Sequence, residues 1–201
     1  MFDAQIRPCI DRLFSPAGHW LAGLGVTPNQ VTVTGAVFGC SAVGCVAFQL
    51  FDLAFWFTVL NRLADGLDGA VARASRSTDF GGYLDIVCDF VFYSAIPFAF
   101  AVAQPENALA AAFLIFSFMG TASSFLAFAI FAEKHHISTE IRGKKAFYYL
   151  GGLTEGAETT LLLLAVLIWP SYFIYMVCGF GLLCWVTTLI RIYLAYSEFS
   201  N

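Results

Sequence analysis

Residues 62–89 read RLADGLDGAVARASRSTDFGGYLDIVCD, and this stretch decides the fold. It holds eight of the chain's 24 charged residues (10 basic and 14 acidic in total), although it lies between two long apolar runs. These runs predict two helices, and the short polar segment from Arg76 to Phe80 predicts the turn between them. If the two helices pack antiparallel across that turn, the carboxylates of Asp65, Asp68, Asp85 and Asp89 face one small volume.

The composition of the whole chain predicts a membrane protein. Hydrophobic residues make up 59% of the 201 residues, charged residues 12%, and the mean hydropathy is +0.76. A typical soluble domain carries about 25% charged residues. The composition therefore excludes an ordinary soluble globule and, more firmly, a disordered chain. We expect an all-α integral membrane protein with a single domain over residues 1–201.

Charge and cysteine content exclude several other classes. The net charge is −4 and the basic residues form no patch, so we expect no nucleic-acid partner. The six cysteines lie in apolar stretches without metal-ligand spacing, which is typical of buried packing residues. The first 13 residues lack the apolar core of a signal peptide, and no cleaved signal is expected.

Six apolar stretches predict six transmembrane helices. All but the fifth approach the ~20 residues needed to cross the hydrocarbon core. They cover residues 29–49, 53–73, 81–103, 107–132, 155–169 and 172–195, so the core is 29–195. Thr27 and Pro28 are typical of a helix N-cap and first turn. Residues 1–22 alternate apolar and charged positions at helical spacing, which predicts an amphipathic helix in the membrane interface, with a solvated arm as the alternative.

Loop charges predict the orientation in the membrane. The connections after the first, third and fifth helices contain no Lys or Arg, whereas the N-terminal arm and the other two connections carry them. These basic residues are Arg7, Arg12, Arg73, Arg76, Lys134, Arg142, Lys144 and Lys145. By the positive-inside rule, both termini and both basic loops face the cytoplasm.

Two pairs of aspartates are the candidate site. Asp65 and Asp68 are three residues apart and Asp85 and Asp89 four apart, so each pair lies on one helix face with about 5–6 Å between its members. Burying one ionised side chain in a membrane costs about 2.5–3.5 kcal/mol, so we expect these aspartates to have a functional role. The pairs predict an oxygen-rich cage suited to Mg²⁺, Mn²⁺ or Ca²⁺. Ordinary ion pairs with Arg62, Arg73 and Arg76 are the structural alternative.

Small residues accompany the first aspartate pair. Gly66 and Gly69 remove side chains where a bulky ligand would approach the backbone. Ala70 and Ala72 would help in the same way, although close helix packing is the commoner explanation for these two alanines.

The charged stretch contains the sequence Asp65-Gly-Leu-Asp68-Gly69-Ala-Val-Ala72-Arg73, followed by Gly81, Asp85 and Asp89. This pattern resembles the signature of the CDP-alcohol phosphotransferase family, which reads D-x2-D-G-x2-A-R-x8-G-x3-D-x3-D. The spacer between Arg73 and Gly81 has seven residues where the family usually has eight. We take Gly81 as the motif glycine because Gly82 would spoil the next spacing. The shorter loop leaves the contacts of Ser77, Thr78 and Asp79 open. The opening Thr27-Pro28-Asn29 and the overall length also resemble prokaryotic members.

The resemblance implies a six-helix enzyme, usually a homodimer, in the bacterial cytoplasmic membrane with its site open to the cytoplasm. It implies transfer of a phospho-alcohol group from a CDP-alcohol to an acceptor alcohol with release of CMP. Two Mg²⁺ or Mn²⁺ ions would assist, with Ca²⁺ as a non-productive occupant. Asp65, Asp68, Asp85 and Asp89 would bind metal, and Asp89 would also accept the proton of the incoming hydroxyl. Nucleotide and phosphate contacts would come from Asn29, Thr32, Gly69, Arg73 and Thr78.

The acceptor pocket stays open between two hypotheses. Arg142, Lys144 and Lys145 would suit an anionic acceptor, or they serve topology alone. Glu155 and Glu158 lie on one helix face and would suit a cationic amine or a polyol, or they complement the dipole at a helix start. His135 and His136 are interpreted as solvated loop residues.

A divalent-cation channel or carrier that uses the same aspartates is the alternative function. Within the enzyme hypothesis, the interfacial arm favours CDP-diacylglycerol as donor over CDP-choline or CDP-ethanolamine. The partners are therefore a CDP-alcohol donor, an acceptor alcohol and membrane lipid.

Overall fold

The computed structural model describes residues 3–135 and 152–200, and in this part of the chain every regular element is helical. The helices are α1 (Asp3–Gly23), α2 (Pro28–Ala47), α3 (Phe51–Ala74), α4 (Asp79–Ala103), α5 (Ala108–Lys134), α6 (Gly156–Ile168) and α7 (Phe173–Phe199). Single 3₁₀ turns, Pro105–Asn107 and Pro170–Tyr172, lead into α5 and α7. The helices from α2 to α7 match the predicted apolar stretches within a few residues at each end.

Local sequence explains where two of these helices begin. Thr27 caps α2 in a capping box with Gln30, whose side-chain oxygen accepts from the Thr27 backbone N–H at 2.9 Å. Thr78 caps α4, because its hydroxyl accepts from the Gly81 backbone N–H at 3.1 Å. Pro28 occupies the first turn of α2, where its missing N–H costs nothing. The predicted N-cap and first-turn residue of α2 are confirmed.

Helix pairing places α3 at the centre of the first half of the molecule. Helix α2 packs on α3 and α4, α1 packs on α3, and α5 packs on α4 and α7. An aromatic stack of Phe51, Phe100 and Phe173 closes one end of the bundle, with ring centroids 5.4 and 4.3 Å apart. Phe51 and Asp65 are separated by about 20 Å along the axis of α3. The aromatic stack therefore lies at the end of α3 away from the aspartates.

The outer surface is apolar, as a lipid environment requires. Large hydrophobic side chains such as Phe98, Phe116 and Leu182 are about 60% exposed. Four segments of the described residues are long and apolar enough to cross a membrane: Pro28–Ala47, Asp79–Ala103, Pro105–Lys134 and Pro170–Phe199. Helix α3 carries Asp52, Arg62, Asp65, Asp68 and Arg73, and α6 has only 13 residues. The all-helical membrane fold is therefore confirmed, while the count of six spans stays a prediction.

Helix α1 forms where an amphipathic arm was predicted, and it docks on α3. A Cβ built on Gly18 would lie 2.7 Å from the Ala70 carbonyl carbon, so the two backbones are in close contact. The aromatic ring of Phe14 lies against Gly66. Small residues on both helices thus allow α1 to cover one face of α3.

Candidate active site

The hairpin of α3 and α4 brings the predicted aspartates together. One carboxylate oxygen each from Asp65, Asp85 and Asp89 lies within 4.8 Å of the other two, and Asp68 lines the same small cavity. Asp68 is 6% exposed, and the other three are partly exposed. The complete lining is Thr32, Gly35, Ala36, Asn61, Arg62, Asp65, Asp68, Asp85, Cys88 and Asp89.

The start of α2 reaches into this site from the side. The Thr32 hydroxyl donates to Asp68 Oδ2 at 2.5 Å, which fixes the most buried of the four carboxylates. The side-chain oxygen of Asn29 lies beside Gly81, where a Cβ would come within 2.8 Å of it. Gly81 therefore leaves room for both Asn29 and the cap residue Thr78, one turn before Asp85.

Arg62 lies inside the site and pairs with the aspartates. Its guanidinium lies 2.8 Å from Asp89 Oδ1 and 3.8 Å from Asp65 Oδ2. Tyr93 and Asn61 complete a hydrogen-bond network around it. The sequence singled out Arg62 only as a structural ion-pair partner, and Asn61 and Tyr93 were missed. The position of Tyr93, one turn after Asp89, is the signal that could have found it.

The small residues around the aspartates have packing roles. The space beside Gly66 is filled by Phe14, and Ala70 contacts Gly18, so close helix packing accounts for both positions. The suggestion that Gly66 leaves room for a ligand is therefore wrong. A Cβ on Gly69 would lie 3.2 Å from Arg73 Nη1, so Gly69 leaves room for that side chain to lie along the helix.

Arg73 pairs outside the aspartate cavity. Its guanidinium contacts Asp11 of α1 at 2.7 Å, and both side chains are more than a third exposed. Among the described residues, Arg73 therefore pairs with Asp11 and not with the site aspartates, as the ion-pair alternative would require.

Glu155 and Glu158 form a capping box at the start of α6. Glu158 Oε2 accepts from the Glu155 backbone N–H at 3.1 Å, and Glu155 Oε1 accepts from the Gly152 N–H at 2.8 Å. The segment before the helix is fastened to α7 by Thr187, whose hydroxyl accepts from the backbone of Leu153 at 3.0 Å. This geometry supports the helix-start interpretation of the two glutamates.

The other residues singled out between the fourth and fifth predicted helices are two histidines and three basic residues. His135 ends α5 and lies against the ring of Phe199, with centroids 5.6 Å apart. His136, Arg142, Lys144 and Lys145 lie outside the described residues.

The aspartate oxygens fit a hard divalent cation. Oxygens on one Ca²⁺ lie at most about 5 Å apart and those on one Mg²⁺ at most about 4 Å, from the usual metal–oxygen distances. The three aspartate oxygens, which lie within 4.8 Å of one another, are therefore close enough to share one divalent cation after a small contraction. Carboxylate oxygens are the ligands that these cations prefer.

The α3–α4 hairpin of this membrane protein thus brings together carboxylates that could hold a divalent cation. Residues 25–193 match the family model described as CDP-alcohol phosphatidyltransferase. The chain is 46% identical to the inner membrane protein YnjF of Escherichia coli, over 98% of this chain and 96% of that protein. The chain belongs to the CDP-alcohol phosphatidyltransferase family.

Other relatives have named activities. An archaetidylinositol phosphate synthase of Pyrococcus horikoshii is 35% identical over 49% of this chain and 53% of its own length. The crystal structure of phosphatidylinositol phosphate synthase (PgsA1) from Mycobacterium tuberculosis with CDP-DAG bound has the same fold, with a TM-score of 0.73 and 19% identity. That comparison covers 92% of this chain and 94% of PgsA1. The protein is therefore a phosphatidyl-transferring enzyme of phospholipid biosynthesis, and the family resemblance in the sequence is confirmed.

Proposed function

We propose that the enzyme transfers a phosphatidyl group from CDP-diacylglycerol to the hydroxyl of a polar acceptor, with release of CMP, at the α3–α4 site. The observation that carries this proposal is the convergence of Asp65, Asp85 and Asp89 within 4.8 Å. Family membership favours this enzyme over the cation channel or carrier considered from the sequence.

The lipid donor is supported by two features. PgsA1, which shares the fold, was crystallised with CDP-DAG bound. The apolar outer surface of α4 would let acyl chains reach the hairpin from the membrane. A water-soluble donor such as CDP-choline would have no use for that surface.

Asp65, Asp68 and Asp85 would hold the metal ions, and Asp89 would both contact metal and act as the base. When bound, two divalent ions neutralise the pyrophosphate and stabilise the departing CMP oxygen. The acceptor oxygen attacks the phosphorus that carries the diacylglycerol, the bond from that phosphorus to CMP breaks, and Asp89 takes the hydroxyl proton. Thr32 keeps Asp68 in place through its 2.5 Å hydrogen bond.

The nucleotide would lie against the starts of α2 and α4. Asn29 and Thr78 both lie beside Gly81, one turn before Asp85. Thr32 lines the aspartate cavity, and Gly69 would let the nucleotide lie against α3. Arg73 would donate charge-assisted hydrogen bonds to phosphate after leaving Asp11. The exposure of the Arg73–Asp11 pair makes such an exchange inexpensive.

The membrane arrangement belongs to the same proposal. Six spans, α2 to α7, would cross a bacterial inner membrane, with α1 in the interface and both termini cytoplasmic. The charge pattern of the loops and the name of the Escherichia coli relative support this arrangement. A homodimer is proposed from the family resemblance.

The test offers purified protein in detergent two kinds of donor with a panel of acceptors. The donors are CDP-diacylglycerol and, separately, CDP-choline or CDP-ethanolamine, and the acceptors are serine, glycerol phosphate and inositol phosphate. We expect CMP release from CDP-diacylglycerol that requires Mg²⁺ or Mn²⁺, and mass spectrometry identifies the lipid product. Turnover of only the water-soluble donors, or cation transport without turnover, would contradict the proposal.

A further inference from the structure

Arg62 is a buried cation that the proposed function leaves without a task. Its side chain is 12% exposed, and each guanidinium nitrogen has a partner. Nε donates to Asn61 Oδ1, Nη1 to the Tyr93 hydroxyl and Nη2 to Asp89 Oδ1, each at 2.8 Å. Because all three nitrogens are committed, Arg62 differs from a flexible arginine that waits for a phosphate.

The network around Arg62 reaches both oxygens of Asp89. Nη2 of Arg62 holds Oδ1 directly, and the Tyr93 hydroxyl, itself bonded to Arg62, lies 3.3 Å from Oδ2. The first contact has the length of a strong charge-assisted hydrogen bond, whereas the second is long for a hydroxyl donor. Asp89 is therefore gripped at one oxygen and only loosely contacted at the other.

Two aromatic rings also pack against the guanidinium group of Arg62. Its central carbon lies 4.9 Å from the centroid of Phe92 and 5.0 Å from that of Tyr93. A planar guanidinium over aromatic rings gains cation–π attraction, and this holds its plane as well as its charge.

Helix α2 supports the network through a pair of glycines. Asn61 Nδ2 donates to the Gly35 carbonyl at 2.8 Å. A Cβ on Gly39 would lie 3.1 Å from Asn61 Nδ2 and 2.9 Å from Phe92 Cδ2. The Gly35-x3-Gly39 pair thus makes room for Asn61 and Phe92, two of the residues that contact Arg62.

We propose that Arg62 is the positioning residue of Asp89: it fixes one carboxylate oxygen so that the other is presented to the metal site and the acceptor hydroxyl. This inference rests on the proposed function, in which Asp89 is the base. Reaction geometry tolerates little displacement, and a misplacement of 1 Å can cost about 10²-fold in rate. Arg62 belongs to α3, contacts α4 directly and is linked to α2 through Asn61, so it can hold the Asp89 carboxylate with that accuracy.

The test compares Arg62→Gln and Arg62→Lys with Arg76→Gln, an exposed arginine beyond the end of α3. We expect Arg62→Gln to lower kcat for CMP release about 10–100-fold, as loss of a supporting contact does, with KM for CDP-diacylglycerol within about threefold of wild type. Lysine will not rescue kcat, because an ammonium group cannot reproduce the planar fork. Arg76→Gln should behave as wild type.

Three results would overturn the inference. The first is a wild-type kcat in Arg62→Gln. The second is a raised KM with unchanged kcat, which would make Arg62 a substrate ligand. The third is full rescue by Arg62→Lys, which would mean that only the positive charge matters. If Arg62→Gln fails to fold, Tyr93→Phe decides: it removes one hydroxyl and should lower kcat in the same direction without moving KM. Wild-type kcat in Tyr93→Phe would then count against the network.

A readout independent of turnover is the thermal stability of Arg62→Gln, Asp89→Asn and the double variant in chelator. A direct contact predicts a melting shift in the double variant smaller than the sum of the single shifts. Additive shifts would overturn the contact. If wild-type protein releases no CMP from any donor but the shifts are non-additive, the proposed function fails while the Arg62–Asp89 contact stands.

Discussion

Two acidic pairs with the same spacing have different surroundings in this protein. Asp65 and Asp68 lie in the interior of α3 and face a cavity shared with Asp85 and Asp89. Glu155 and Glu158 lie at the start of α6, where backbone N–H groups engage both side chains. The position of a carboxylate along its helix therefore decides its role: the first turn offers it unpaired N–H donors, whereas the helix interior does not.

The largest expected effect is at the base of the aspartate site. Asp89→Asn removes the proton acceptor and should lower CMP release by about 10³-fold, within the range of general-base catalysis. The amide keeps the shape of the side chain, so the variant should still insert into the membrane and bind CDP-diacylglycerol. Full activity would remove Asp89 from the mechanism.

The second effect concerns the support of Asp68. Thr32→Val removes the hydroxyl that donates to the buried Asp68 carboxylate at 2.5 Å. We expect the metal concentration for half-maximal activity to rise about 10–100-fold. Thr34→Val is the matched control, because Thr34 is exposed and its hydroxyl donates to the Gln30 carbonyl within α2. Equal metal requirements in the two variants would contradict the role of Thr32.

A third variant tests the packing of the segment that leads into α6, just before Glu155 and Glu158. Gly152→Ala would place a Cβ 2.2 Å from Thr187 Cγ2, so the segment that leads into α6 must shift. We expect about 1–3 kcal/mol of destabilisation, as for other overpacked positions, measured by thermal melting in detergent. Gly44→Ala should not destabilise, because a Cβ there would meet no atom of another helix within 4 Å in the part of the chain that the structure describes.

The smallest effect separates the two interpretations of the glutamates. Glu158→Ala removes one half of the capping box and should cost about 0.5–2 kcal/mol of stability. The KM values for acceptor alcohols should stay at wild-type levels. A raised acceptor KM without a change in melting would instead place Glu158 in an acceptor pocket.

The sequence predicted the helices well because apolar length and capping residues are local signals. The limits of α2 to α7 and the cap at Thr27 follow from them. Convergence of the aspartates was predictable because each pair shares a helix face and the turn between the helices is short.

Contacts between distant residues were not predictable in the same way. Nothing local shows that Phe14 fills the space beside Gly66, or that Asp11 pairs with Arg73. The network of Asn61, Arg62 and Tyr93 depends on how closely α2 approaches α3 and α4. The partners of Gly35 and Gly39 in α2 likewise depend on how the three helices pack together.

Manganese binding tests the central claim most directly. Electron paramagnetic resonance would measure Mn²⁺ binding to purified wild-type protein, to the double variant Asp65→Asn/Asp85→Asn and to Glu155→Gln/Glu158→Gln. The aspartate site predicts that the first double variant loses bound Mn²⁺ and metal-dependent CMP release together, while the second keeps both. Retention of Mn²⁺ by the aspartate variant, or its loss from the glutamate variant, would contradict the account.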